Sequence, residues 1–180
     1  MQFVILDGAQ EPCPMDGWLE RVERSLAARG HLVRRLRLRE MRICQCRGCF
    51  GCWVKTPGRC VIRDDAEEIL RAFLEADVAA IASPIVMGLT TALSRRATER
   101  LLPLLHPYFE VVECEIHHRA RYTRYPRVVL LHGHEGCDPE DAEIIEALCR
   151  RATLNLRSTF AFAASTARAP EEVCDALARL

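Results

Sequence analysis

The sequence predicts one α/β domain on a doubly wound, five-stranded parallel sheet of order 2-1-3-4-5, and three observations predict it. Apolar runs of strand length alternate with stretches of helical period from one end of the chain to the other. The third apolar run, Val78 to Ala82, is almost continuously hydrophobic, as a central parallel strand covered on both faces must be. No repeat, low-complexity tract or linker divides the 180 residues, a length that one core can serve. Alternating strands and helices with right-handed crossovers then give the parallel sheet.

In chain order, Phe3 to Leu6 is a strand ending at Asp7-Gly8. Trp18, Leu19, Val22, Leu26 and Ala27 follow at helical spacing, and Gly30 closes that helix. His31 to Leu38 alternates apolar residues with arginines and reads as the second strand. Asp64-Asp65 caps a helix carrying Ile69, Leu70, Phe73 and Leu74, acidic side chains being favoured at a helix N-terminus. After the central strand, Thr90 to Leu105 reads as a helix with Leu93, Ala97, Leu101, Leu104 and Leu105 on one stripe, ended near Pro107. Pro107 to Pro126 reads mostly as loop. Val128 to Leu131 is the fourth strand, Pro139 to Leu154 a helix, Thr159 to Ala164 the fifth strand and Pro170 to Leu180 a closing helix.

Between the second strand and the second helix lies an insertion, residues 44–65, holding five of the ten cysteines. Cys46, Cys49, Cys52 and Cys60 are spaced C-x2-C-x2-C-x7-C, and Cys44 falls outside that frame. Thiolates at such spacing favour zinc, copper(I) or iron–sulfur centres, and the run is nearer to a four-iron (4Fe-4S) loop than to the separated knuckles of a zinc ribbon. Reduced or redox-active thiols serving as small core hydrophobes are the other reading. Gly48, Gly51, Pro57 and Gly58 suit a tight loop with or without metal.

Lys plus Arg equals Asp plus Glu at 25 each, so no global field draws the chain to nucleic acid or an anionic membrane. The N-terminus lacks a secretory pattern, and the uncharged stretch from Val78 to Ser94 is interrupted by Pro84 and Gly88. Ten cysteines without an export signal place the expectation in the cytoplasm, with thiols reduced or bound to metal. In a sheet of this order a ligand sits beyond the strands' carboxyl ends, at the switch in strand order. The loops concerned are Gly8 to Asp16, Ser83 to Thr90 and Gly133 to Asp138. His132, His134, Glu135 and Cys137 are candidate ligands or acid–base groups there, with a hydrogen-bonding wall as the alternative. Arg119, Arg121 and Arg124 are candidates for an anionic group, with a solvated or dimer-contacting loop as the alternative. No G-x-S-x-G elbow points to hydrolysis.

Three stretches, CRGCFGCWVKTPGRCVIRDD, SPIVMGLTTALSRRATERLLPLL and EIHHRARYTRYP, give the chain a resemblance to the flavodoxin-like NAD(P)H-dependent FMN reductases and, among them, to the iron–sulfur flavoproteins. The resemblance implies a flavodoxin-like fold and FMN lying against Ser83, Pro84, Ile85, Val86, Met87 and Gly88; Gly133 and His134 join them as expected flavin neighbours because their loop lies at the same edge of the sheet. It also implies NAD(P)H as electron donor and a four-iron cluster on the cysteine frame. The first loop departs from the family. Where family members carry Gly-Ser-Pro-Arg and a hydroxylic residue around the flavin phosphate, this chain has Gly8-Ala9-Gln10-Glu11-Pro12-Cys13-Pro14-Met15-Asp16. The backbone amides of Gly8, Ala9 and Gln10 are left to bind it. The functions expected are an FMN oxidoreductase serving a small-molecule or redox-protein acceptor, a metal- or thiol-based sensor that has lost FMN, or a simple electron carrier. A homodimer or homotetramer is expected, since a loop added after the second strand can meet a partner subunit.

Overall fold

The computed structural model describes residues 1–135 and 138–180. Strand β1 (Gln2–Asp7) leads into α1 (Pro14–Ala28) and β2 (Leu32–Arg37). The cysteine-bearing excursion follows, with a single short helix, α2 (Gly51–Val54). Then come α3 (Ala66–Glu75), β3 (Val78–Ser83), a small hairpin of β4 (Ile85–Val86) and β5 (Leu89–Thr90), and α4 (Ala92–Glu99). A longer hairpin, β6 (Leu105–Val112) and β7 (Glu115–Ala120), precedes β8 (Arg127–His132), α5 (Pro139–Asn155), β9 (Thr159–Ser165) and α6 (Pro170–Leu177). The main sheet runs β2-β1-β3-β8-β9 with every pairing parallel, which is the expected 2-1-3-4-5 order.

The pleat of β1 divides the core. Phe3 and Ile5 face one layer with Trp18, Leu19, Val22 and Leu26 of α1 and Val173 and Leu177 of α6. Val4 and Leu6 face the other, with Ile69 and Phe73 of α3, Ala97 of α4 and Ile145 of α5. All six residues of β3 are buried, as its continuous apolar run requires. No helix among the described residues is long and apolar enough to cross a membrane.

Two expectations are corrected. The helix expected from Thr90 to Leu105 stops at Glu99, because Pro103 cannot donate and its ring crowds the carbonyl four residues back; residues Leu102–Leu104 form a 3-10 turn instead. The stretch expected as loop after Pro107 holds most of the β6–β7 hairpin, with Phe109 opposite His118 and Val111 opposite Ile116. Its two-residue turn, Glu113-Cys114, has φ of 50° and 64°, the backbone of a type I′ turn without the Asn or Gly that normally announces one.

Candidate functional site

Strand order reverses between β1 and β3, and three loops meet beyond the carboxyl ends of β1, β3 and β8. They are fastened to one another. The Gly8 amide donates to Ala82 O at 2.8 Å and the Gly133 amide to Ser83 O at 3.0 Å. Thr91, at the N-cap of α4, donates its hydroxyl to Gly8 O at 2.6 Å and accepts the Ser94 amide at 3.1 Å. Gly8 packs so closely on α4 that an added Cβ would lie 1.7 Å from Ser94 Oγ. At Gly133 the same atom would meet Pro84 Cα at 3.3 Å.

Of the residues expected beside a ring, Ser83 is buried and turned inward, its hydroxyl bonded to Pro84 O at 2.8 Å and the Thr91 amide at 3.0 Å. Pro84 and Ile85 are half-buried. The hairpin then turns at Met87-Gly88, both with positive φ, so β4 and β5 are joined by a tight two-residue turn. Val86, Met87 and Leu89 are exposed, Met87 by 96%. Gly88 rests against Asp141 in the first turn of α5. His134 is exposed, with Nδ1 2.9 Å from Thr166 Oγ1, and His132 is buried, with Nδ1 3.0 Å from Gly133 O. Cys137 lies outside the described residues. Beneath the hairpin, between α4 and α5, runs a cleft of about 340 Å³ lined by Leu89, Ser94, Leu130, Ile145 and Cys149. Burial pushes the Cys149 thiol up to about 11.

The loop from β1 to α1 is held by charge. Asp7 is fully buried; it accepts the Ala9 amide at 3.1 Å and pairs with Arg35 at 2.7 Å. Asp16 accepts the Cys13 amide at 3.1 Å and pairs with Arg35 at 2.5 Å and Arg39 at 2.9 Å. Burial alone would raise Asp16, but the Arg39 bond, the Cys13 amide and the two guanidinium charges outweigh it and hold the carboxyl below its usual range. Of the three amides expected to meet a phosphate, Gly8 and Ala9 are thus engaged within the protein. FMN therefore fits this edge in part: the exposed apolar hairpin suits a planar ring, and the carboxylate-rich first loop does not suit the phosphate.

The cysteine excursion is tied at its base. Arg42 N donates to Asp65 Oδ2 at 2.7 Å and Cys44 N to Asp64 Oδ2 at 2.8 Å. Asp64 also forms a buried two-pronged pair with Arg100, at 2.7 and 2.9 Å, and Arg100 donates to Cys44 O at 2.6 Å. Asp64 still accepts the Ala66 amide, but Asp65 does not cap α3 with its side chain, as expected from sequence; it closes the loop. Inside, Phe50 stacks on Trp53, Trp53 meets His118, and His118 meets Phe109, joining the loop to the β6–β7 hairpin. Cys52 is buried, Cys46 and Cys60 half-buried, and Cys49 exposed like Cys44. Burial first, then the charges of Cys60, Cys46 and Cys49, push the Cys52 thiol up. Among the described residues no set of His, Cys, Asp or Glu side chains is arranged to hold a metal ion, so the four sulfurs as placed do not form a ligand set.

Two of the arginines considered for an anion are otherwise occupied. Arg121 donates to Pro103 O and Leu105 O, and Arg124 pairs with Asp77 at 2.8 Å, at the opposite edge of the sheet from the three loops. Sequence reasoning missed Thr91, Ser94, Arg35, Arg39 and Arg100. Only the Thr-x-x-Ser spacing at the start of α4 was a local sign of a cap.

No family model matches the chain. An iron–sulfur flavoprotein of Archaeoglobus fulgidus is 34% identical over 92 residues, which are 51% of this chain and 39% of that protein; the match spans well under half of the relative's length. Among solved structures, an azoreductase of Bacillus anthracis superposes with a TM-score of 0.70 at 12% identity, covering 99% of each chain. An FMN-dependent NADH-azoreductase of the same species, in complex with FMN, gives 0.69 at 12% identity, covering 99% of this chain and 98% of its own. The solved structures share the flavodoxin-like fold, and the resemblance to an iron–sulfur flavoprotein is found again over 92 residues.

Proposed function

We propose that this chain is a flavin-dependent oxidoreductase that takes electrons from NAD(P)H and passes them to a small-molecule or redox-protein acceptor. The observation that carries the reading is the β4–β5 hairpin. It stands at the carboxyl edge of the sheet with Val86, Met87 and Leu89 exposed, and an apolar tip beside the switch point is what a stacked ring covers. The flavin-dependent enzymes that share the fold support it. A bound flavin supplies the redox chemistry, and the chain's part is binding, orientation and electrostatics. The C-x2-C-x2-C-x7-C spacing makes a four-iron cluster on Cys46, Cys49, Cys52 and Cys60 a second donor to test, against their placement, which does not form a ligand set.

The engaged first loop favours a second reading, a thiol- or metal-based sensor on a fold that has given up the flavin. Anaerobic purification, an absorbance spectrum, metal analysis and a flavin uptake titration separate the two. Flavin taken up together with NAD(P)H oxidation supports the enzyme. Protein that neither retains nor takes up flavin removes it. Iron lost on Cys46→Ser, Cys49→Ser, Cys52→Ser and Cys60→Ser, but kept on Cys44→Ser, supports the cluster; metal-free anaerobic protein removes it.

A further inference from the structure

Where a parallel sheet turns into its first helix, free amides and the helix dipole make the ordinary seat for a phosphate. Here that seat holds a carboxylate of the chain's own. Asp16, in the first turn of α1, takes the Cys13 amide with one oxygen and Arg35 and Arg39 with the other. Arg35, whose side chain is 2% exposed, is further paired with Asp7 and Glu23. Arg39 Nη1 makes no hydrogen bond, yet it already faces Asp7 at 3.7 Å. Three carboxylates around two guanidiniums leave one net negative charge, to which exposed Glu11 adds. Pro12 and Pro14 have no N–H to offer. A phosphate dianion arriving here meets repulsion and few free donors.

We infer that Asp16 takes the place of a phosphate at the N-terminus of α1, and that the flavin this chain binds is recognised without its 5′-phosphate. The inference rests on the flavin reading above and names the ligand class: an unphosphorylated flavin of the riboflavin type. Asp16 is then the residue that sets the specificity, and the ring is held by the hairpin alone.

The test titrates riboflavin and FMN separately into the full chain by flavin fluorescence. In parallel, the thermal midpoint is recorded in inorganic phosphate and in chloride at equal ionic strength. Riboflavin should bind at least as tightly as FMN, and phosphate should give no rise beyond chloride. Asp16→Asn keeps the shape and removes the charge; FMN should gain on riboflavin by roughly tenfold, the scale of a hydrogen bond to a charged group. A wild-type chain that prefers FMN tenfold or more, a phosphate-specific rise in midpoint, or no relative gain in Asp16→Asn would overturn the inference. If Asp16→Asn does not fold, the two wild-type measurements decide. If neither flavin binds, the flavin reading fails, and the phosphate arm alone decides whether Asp16 closes the seat.

Discussion

Gly8→Ala tests the junction on which the candidate site is built. Gly8 is not held at positive φ, so the substitution adds no backbone strain of its own, and the effect reports space alone. The new methyl group would stand 1.7 Å from Ser94 Oγ, 2.9 Å from Ser94 Cβ and 3.2 Å from Thr91 Oγ1, and so the β1 loop and α4 must part. Overpacking of this kind costs about 1–3 kcal/mol. Parting also lengthens the 2.6 Å bond from Thr91 to Gly8 O, worth about 1 kcal/mol. Together these give about 2–4 kcal/mol, or a fall in Tm of roughly 5–12 °C for a chain of this size. Thermal and urea unfolding followed by circular dichroism would measure it. Ser94→Gly removes the two nearest of these three atoms, so the double variant should recover at least about 1 kcal/mol relative to additivity. A Gly8→Ala chain as stable as the wild type, or a loss that Ser94→Gly leaves untouched, refutes the reasoning.

Arg100→Met strands buried Asp64 and should cost about 3–5 kcal/mol in urea unfolding, with faster tryptic cutting at Arg47, Lys55 and Arg59; Asp64→Asn in the same chain should recover part of it. The Asp64 carboxyl, desolvated but held down by the Arg100 bond, the Cys44 amide and the Arg100 charge, has a folded pKa below its unfolded one. Its contribution is therefore complete above about pH 4 and is lost as pH falls through the folded pKa, so urea midpoints should drop in acid and Asp64→Asn should flatten that limb. Gly88→Val should lower flavin uptake and stability together, the latter by about 1–2 kcal/mol, because φ is +72° and a Cβ there meets Asp141 Oδ1 at 2.6 Å. Light scattering at micromolar concentration should show a dimer or tetramer, in which the exposed Phe109, Val111 and Ile116 face is covered; a monomer sinks that assembly.

The parallel sheet was legible because β3 declares itself: a central strand must be apolar on both faces, and the five buried residues from Val78 to Ala82 are. The β6–β7 hairpin was not, because Glu113 and Cys114 reach the I′ backbone without any residue that prefers it, and the constraint comes from the flanking pairs. The edge at which a ligand would sit followed from topology, yet the groups that hold it did not. Thr91 acts on Gly8 across 83 residues of chain and Arg100 on Asp64 across 36, and no local pattern records such partners. The sequence places Asp16 in the first loop but not its partners; that Arg35 and Arg39 both bond its carboxylate needed their positions in the fold.

Both halves of the candidate site hang on α4. Its first turn holds the β1 loop through Thr91 and Ser94, and just beyond its last turn Arg100 holds the cysteine excursion through Asp64 and Cys44 O, with Arg96 reaching Ile43 O at 3.3 Å. Eight residues at 1.5 Å each separate the two sets of tethers by about 12 Å. The tethers end on backbone oxygens or a buried carboxylate, which salt screens far less than it screens exposed ion pairs. A buried pair such as Arg100–Asp64 adds little net stability over an apolar one, but separating it leaves a bare charge in the interior, so it fixes position firmly. The β1 loop and the base of the cysteine excursion are thus held at a separation that one short helix sets.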